Sequence, residues 1–398
     1  MRLLWAFIAA SAGLVAADLG GMFAGGLQHP AIQYLSRPTT DPVGELNRKV
    51  QSGQVRLKYE PPTGYLRSLL SALDIPIESQ LVVFSKTSIL ARFISPPHPR
   101  TVFFNESVVV TWIPGEPFVE LAAEDPRQGI IFYTIDEKPS DRPLISRRSS
   151  NCLTCHNTLT SLGVPGMLVR SVMTNDDGTP LSNFVEPAPD DRTPFSERWG
   201  GWYVTGNSVP PHHRGNARMV FEAASRSSVM STAPALKTLA GRLDSDAYPT
   251  PYSDVVALMV FEHQMHAMNL LTRAGWESRL ALQKSAAMPV DTLNELADYL
   301  VFTDEWPISS RIEGNSGFAE KFTARGPLRE FDLHQRLFRY RCSYMVYSPA
   351  FDALPEPTKD IVYRRMWSRI SKQDNAKALV QILRTTKPGL PDYFSQSR

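Results

Sequence analysis

The hydrophobic pattern along the chain falls into three stretches. After an apolar run at Leu3–Val15 and a polar break at Asp18, residues 18–60 have weak periodicity and several Pro and Gly, which predicts loop with short helices. Tyr65–Leu73, YLRSLLSAL, carries apolar residues at helical spacing and stops before Pro76. From Leu81 the pattern changes. LVVFS, TVFFN, SVVVTWI, PFVELAA and GIIFYTI are short runs rich in Val, Ile, Phe and Tyr, divided by Pro, Gly, Asn and Asp. They predict a meander of about five strands, with FFNES as a hairpin turn. Residues 137–151 are polar and proline-containing, a lead-in to the central segment. Met167–Thr174 predicts a strand, Asp176-Asp177-Gly178 a turn, residues 186–200 a long loop and GWYVTG a short strand. From Ser253 the period is helical. A Ser/Asp cap opens SDVVALMVFEHQMHAMNLLTRAGWESRLALQ, and DTLNELADYLVF, the segment near Leu328–Tyr347 and TKDIVYRRMWSRI continue in similar character. The expected fold class is α+β: a β-rich part at 18–145, a central segment at 146–250 with short strands and loops, and an α-helical region at 251–398.

Composition adds little to this picture. With 42% apolar, 21% charged and 10% aromatic residues, the chain is an ordinary globular protein. Its net charge of +2 comes with no basic stripe or tail, so nucleic acid is not an expected partner. The first residues matter more. Arg2 is a positive n-region, Leu3–Val15 an apolar h-region, and Val15-Ala16-Ala17 supplies modest or small residues for cleavage. Residues 1–17 are therefore expected to be a signal peptide cleaved after Ala17, and the mature chain to be periplasmic or otherwise exported. The alternative is an uncleaved anchor, in which case the chain contacts a membrane. No later run approaches the ~20 apolar residues of a spanning helix.

The chain has only three cysteines, and two of them stand in Asn151-Cys152-Leu153-Thr154-Cys155-His156. Three chemistries use such a pair. A redox dithiol needs a strand–CxxC–helix context in a βαβ unit, and no βαβ pattern precedes the motif. A structural zinc site draws its remaining ligands from a second, separated pair, and none exists. Covalent haem attachment uses every residue of C-x-x-C-H. The thiols of Cys152 and Cys155 add across the two haem vinyl groups, and the gap between them matches one helical turn. His156 then lies over the porphyrin face and reaches the iron. Attachment outside the cytoplasm agrees with an export signal. Cys342, in YRCSYMVY, is expected to be a buried small hydrophobe.

At Cys152, Cys155 and His156 the chain resembles c-type cytochromes. The resemblance implies one covalent haem c, thioether links at both cysteines and iron ligation by His156. More loosely, GVPGMLVRS, RTPFSERWGGWYVTG with HRGN, and EHQ are similar to a block pattern in large uncharacterised bacterial cytochrome-c-domain proteins. That likeness implies a fold neighbourhood and no reaction.

The second axial position separates a carrier from an enzyme. Met167, eleven residues after His156 and just beyond Gly163-Val164-Pro165-Gly166, is the first candidate. His263 is the second, because a helical wheel sets it among Val256, Val260, Ala267 and Leu270, with His266 on a polar arc beside Glu262 and Asn269. His213 is the third, and an open position the fourth possibility. Arg147, Arg148, Arg170, Arg192 and Arg198 are candidate partners for the haem propionates, and Trp199, Trp202 and Tyr203 for packing on the porphyrin. The expected function is that of an exported monohaem electron carrier with a redox partner protein. The alternatives are a five-coordinate, peroxidase-like haem enzyme, and a haem-based sensor or structural subunit.

Overall fold

The computed structural model describes residues 26–181, 188–222, 227–231, 235–244 and 247–395, so the expected signal peptide at 1–17 lies outside the described residues. Two short helices, α1 (Pro42–Gln51) and α2 (Leu66–Ala72), precede the strands. The five expected runs pair in sequence order as an antiparallel meander: β1 (Leu81–Val83), β2 (Arg100–Phe104), β3 (Val108–Trp112), β4 (Phe118–Asp125) and β5 (Gly129–Asp136). The FFNES turn forms because Asn105 Oδ1 accepts from the Ser107 and Val108 backbone amides at 3.0 and 2.9 Å. β6 (Ile145–Arg148) pairs with β5 inside what the sequence reads as a polar lead-in. A helix, α3 (Ser150–His156), comes directly after it. β7 (Trp202–Tyr203) closes the far edge against β1, which gives a seven-stranded sheet, and β8 (Arg218–Glu222) with β9 (Ser227–Ser231) forms a separate hairpin.

The sheet is buried on both faces, which is why its strands read as apolar runs and not as clean alternation. Val82, Phe103, Val110, Leu121 and Ile131 pack with Leu46 of α1 and Leu66 and Leu69 of α2. Val83, Val102, Val109, Ala122 and Phe132, on the other face, share a core with α4 (Val255–Gln283). The remaining helices are α5 (Val290–Leu300), α6 (Phe318–Thr323), α7 (Pro349–Asp352), α8 (Glu356–Ile370) and α9 (Ala376–Thr386). The fold is thus mixed α and β as expected, with the antiparallel sheet in the N-terminal half and helices in the C-terminal half. Among the described residues no helix is long and apolar enough to cross a membrane.

Three local expectations are corrected. Met167–Thr174 makes no regular strand, because the backbone N–H and carbonyl of Met167 are both taken by the Asn269 side chain, at 2.9 and 2.8 Å. Leu328–Tyr347 is mostly irregular. Side-chain turns at Asp332 and Ser343 capture backbone amides there, and Phe331, Phe338 and Tyr344 collapse into an aromatic cluster with Phe322. The polar arc of α4 faces water only in part, at the half-buried His266 and Arg273. Asp254 caps the helix as expected, through Val256 N and Ala257 N, but Glu262 and Asn269 are buried as deeply as the apolar arc.

Two of the buried acids set a pH dependence. Glu124 is 4% exposed and neither carboxylate oxygen has a hydrogen-bond partner; Glu262 is 1% exposed. Burial pushes both up to about 8 from an ordinary 4.5. The folded state therefore keeps protons that the unfolded chain has released. The stability involved is complete below pH 4.5 and is lost as pH rises through about 8, by up to about 1.4 kcal/mol per pH unit for each group. The melting temperature is expected to fall between about pH 5 and about pH 8, and Glu124→Gln to flatten that slope. Thermal denaturation across this range checks it, and an unaltered slope in the variant would count against a protonated Glu124.

Candidate cofactor-binding site

The face of the sheet toward α4 is not filled evenly. A cavity of about 340 Å³ lies between the strands, α3 and the loops at Ser85–Ile89 and Met167–Arg170. That volume is within the usual range for small-molecule and cofactor sites. Strand register builds its floor as two rows. Val109, Ala122 and Phe132 stand opposite one another as an apolar row. One pair further along, Val102, Thr111, Glu120 and Thr134 form a row that turns polar. Trp202 and Phe261 wall the cavity, and Trp202 Nε1 donates to the Arg170 carbonyl at 2.8 Å.

α3 is set beside this floor because β6 ends opposite Phe132, through the Phe132–Arg148 pair, with only Ser149 between the strand and the helix. Cys152 and Cys155 lie three apart on it, hence on the same side of the helix, and both are free and line the cavity. Burial and the nearby Glu120 carboxylate raise the Cys152 thiol above its ordinary range, the opposite of the activation that a redox dithiol requires. His156 closes the helix. Its ring lies 4.8 Å from that of Phe132, centroid to centroid.

The His156 ring is held from behind. Nδ1 is 2.8 Å from the Gly166 carbonyl, so Nδ1 carries the proton and donates, and Nε2 keeps its lone pair. Burial holds the imidazole below its ordinary pKa, with the Arg100 charge acting the same way, so the ring stays neutral. Gly166 can occupy this place because it has no side chain. A Cβ there would meet Asn269 Oδ1 at 2.2 Å. Asn269 in turn clamps Met167, and Ser161 Oγ accepts from Thr158 N at 2.9 Å and donates among the carbonyls of the same loop. The loop that backs His156 is therefore anchored to α4. The double glycine is also a close approach: a Cβ on Gly200 would lie 2.7 Å from the Val172 carbonyl oxygen, and Gly201 has φ +82°.

The polar end of the cavity is cationic. Arg100 and Arg170 line it against one carboxylate, Glu120. Arg100 Nη1 is 3.9 Å from Glu120 Oε2, which also accepts from Thr111 Oγ1 at 3.1 Å. The Arg100 Nε is enclosed with no hydrogen-bond partner, an unused donor beside the cavity. Arg148 reaches the same row, donating from Nε to Thr134 Oγ1 at 2.8 Å.

The other expected residues scatter. Of the candidate second axial ligands, only Met167 lines the cavity with His156. His263 is fully buried elsewhere, with Nδ1 3.0 Å from Asp191 and Nε2 2.7 Å from Ser343, so both ring nitrogens are engaged. His213 packs on Trp199, outside the cavity. Arg192 pairs with Asp190 and Arg198 with Glu262, while Arg147 reaches the carbonyls of Tyr34 and Arg37. Trp202 is a wall, whereas Trp199 and Tyr203 belong to the surrounding core. Cys342 is fully buried, and burial pushes its thiol up to about 12. Arg100, Thr111, Glu120 and Asn269 were missed by sequence reasoning. Thr111, Glu120 and Asn269 leave a trace as polar residues interrupting the apolar runs SVVVTWI and PFVELAA and the long helix, and Arg100 leaves none.

No family model, curated protein or solved structure matches the chain. Among the described residues no group of three or more His, Cys, Asp and Glu side chains is placed to hold a metal ion. The resemblance to c-type cytochromes, and to the large bacterial cytochrome-c-domain proteins, is corrected on these findings, and the chain is not assigned to either group. The physical reason is that the likeness rests on one turn of helix, set here beside a seven-stranded antiparallel sheet.

Proposed function

We propose that this cavity takes one haem, joined to the chain through Cys152 and Cys155 as haem c and ligated by His156, and that the protein exchanges electrons with a redox partner protein. The observation that carries the reading is His156. Its Nδ1–H is spent on the Gly166 carbonyl, and its free Nε2 belongs to a side chain lining the same cavity as both thiols. That is how a protein holds a ligating imidazole in one tautomer. A porphyrin supplies four ligands of its own, so one protein side chain is enough to begin the set.

The lining fits such a group. Val102, Val109, Ala122, Phe132 and Trp202 offer apolar surface to a flat ring. Arg100, with its unused Nε, and Arg170 offer cations to two carboxylates, and Glu120 holds Arg100 in place meanwhile. When bound, the haem supplies one-electron exchange at its iron. The chain's own residues orient it, exclude water from its inner edge and leave the side near Cys155, which is exposed, for a partner. Export, with residues 1–17 removed, belongs to the same proposal, since attachment takes place outside the cytoplasm.

Met167 would be the second side chain to hold the group, because it alone of the candidates lines the cavity. A second reading, an open position and a haem enzyme, is favoured by one observation: Met167 comes next after the residue whose carbonyl backs His156, so it starts on the side of the cavity behind that ring. The test is to express the chain with periplasmic haem-attachment machinery and record oxidised and reduced spectra with and without carbon monoxide. The expected result is a covalent haem whose reduced spectrum carbon monoxide leaves unchanged, and a Met167→Ala variant that binds carbon monoxide at once. A wild-type spectrum that shifts immediately would discard Met167 and support the open position. A chain purified without haem would refute the whole proposal.

A further inference from the structure

At the tip of the β4–β5 hairpin, on the sheet but away from the cavity, Arg127 meets arginines from two other segments beside the acids Glu124 and Asp125, and burial holds Glu124 protonated up to about 8. We propose that Arg37, Arg127 and Arg279 form a binding site for a phosphate group. None of the three lines the cavity described above.

Three segments meet at this tip. Asp125 Oδ2 accepts from the Thr40 amide at 2.7 Å, which ties down the loop that carries Arg37. Gln128 Nε2 donates to the Pro38 carbonyl at 3.2 Å, a second tie to that loop. Gly129 packs on Thr272 of α4 so closely that a Cβ would lie 2.4 Å from Thr272 Cγ2. Arg279 stands two turns further along α4, and its side chain runs back toward Thr272. Its Nη1 lies 2.8 Å from where a Cβ on Gly275 would be, so the missing side chain at Gly275 makes room for the guanidinium.

The charges do not balance. Asp125 is the one carboxylate acting on Arg279, and its oxygens already accept from Thr40 N, Thr40 Oγ1, Arg127 N and Gln128 N. Asp41, deeper in, is spent on capping α1 and on Tyr133, and burial raises its carboxyl. Arg147 adds a fourth positive charge, held by the Tyr34 and Arg37 carbonyls, the Gln128 amide and the face of the Tyr34 ring. Among the described residues Arg37, Arg127 and Arg279 make no ion pair. Arg37 has one long contact, Nη2 to Gln33 Oε1 at 3.4 Å, and its Nε is enclosed without a partner. Arg279 is partly desolvated, and burial together with the positive Arg127 and Arg37 lowers it to about 10. Like charges held together in this way leave an anion-shaped gap in the electrostatics.

Phosphate fits that gap better than a carboxylate does. A carboxylate has two oxygens and satisfies one guanidinium fork, whereas a phosphate group can bridge several forks and carries up to two charges. Arg127 is exposed, so the site is open to ligand. The source is either a free phosphate or phosphate ester, or a lipid headgroup. Gly26 packs on Trp276 of α4, one helical turn from Arg279.

The haem-loaded full chain is titrated with inorganic phosphate, and with chloride at equal ionic strength, by calorimetry and thermal shift. In parallel it is sedimented with phosphatidylglycerol and with phosphatidylcholine vesicles. Phosphate is expected to bind and raise the melting temperature while chloride does neither, and Arg127→Gln, at an exposed position, to bind at least about tenfold more weakly. That loss is about 1.4 kcal/mol. Arg127→Gln combined with Arg279→Gln is expected to lose binding with the haem spectrum unchanged. Sedimentation with phosphatidylglycerol that the double variant loses identifies a lipid source; phosphate binding without sedimentation identifies a free phosphate. Equal responses to phosphate and chloride, or unchanged binding by Arg127→Gln, would overturn the site and leave the haem reading untouched.

Discussion

A chain with both Cys152 and Cys155 changed to alanine is expected to lose nearly all of the haem that survives acid–acetone extraction from wild type. The fold should survive the change. Cys155 is exposed and Cys152 only partly buried, and α3 buries no residue fully. Surface changes of this kind usually stay within about 0.5 kcal/mol, so circular dichroism and the denaturation midpoint should hardly move. Each single variant keeps one thiol beside the cavity and should retain part of the covalent haem, with a reduced absorption band shifted by the vinyl group left free. His156→Ala separates ligation from attachment: haem should remain bound covalently while the spectrum changes, and added imidazole should partly restore it. The measurement is a pyridine haemochrome spectrum before and after extraction. Equal retention by wild type and the double variant would remove the thioether claim, since haem would then be held by packing alone.

The largest expected loss of stability is at Arg198, far from any solvent. Arg198 is 2% exposed and lies over the Phe195 ring at 4.6 Å. Nε donates to the Thr193 carbonyl at 2.7 Å, Nη2 to the Asp191 carbonyl at 2.8 Å, and Nη1 faces Glu262 at 3.5 Å. Arg198→Ala strands the buried Asp191 carbonyl, the half-buried Thr193 carbonyl and one buried acid, and opens a void beneath the loop that also positions Asp191 against His263. Removing one side of such a buried pair costs about 3–5 kcal/mol where the acid is ionised, above about pH 8, and less where it is protonated. The cost should depend on pH. Burial already pushes Glu262 up to about 8 in spite of Arg198, which acts to lower it. Without Arg198 the acid is held higher still, so the variant falls further behind wild type as pH rises through about 8 and is least affected in acid. Urea denaturation at two pH values tests both points. A loss below about 1 kcal/mol, equal at both, would mean that water replaces the guanidinium without penalty.

Much of this molecule is legible in short windows. The runs from Leu81 to Asp136 become consecutive antiparallel strands because each is a few residues of branched and aromatic side chains closed by a turn former, as at Asn105. Asp254 announces the start of α4 because a cap needs only the two amides just beyond it. Cys152, Cys155 and His156 lie within five residues, so their sharing one short helix could be expected before any fold was known. What the windows do not contain is the partner of each group. Arg100 and Glu120 meet through strand register, Met167 is taken from a would-be strand by Asn269 at a separation of 102 residues, and His263 is engaged by Asp191 and Ser343, 72 and 80 residues away. The polar arc of α4 looks like a solvent face on a helical wheel, yet loops and sheet cover part of it and turn Glu262 and Asn269 into interior residues. Local pattern decides which segments become strands or helices because backbone geometry and capping act over a few residues. Which of them enclose a cavity, and which donor is left beside it without a partner, depends on contacts that exist only once the chain has closed on itself.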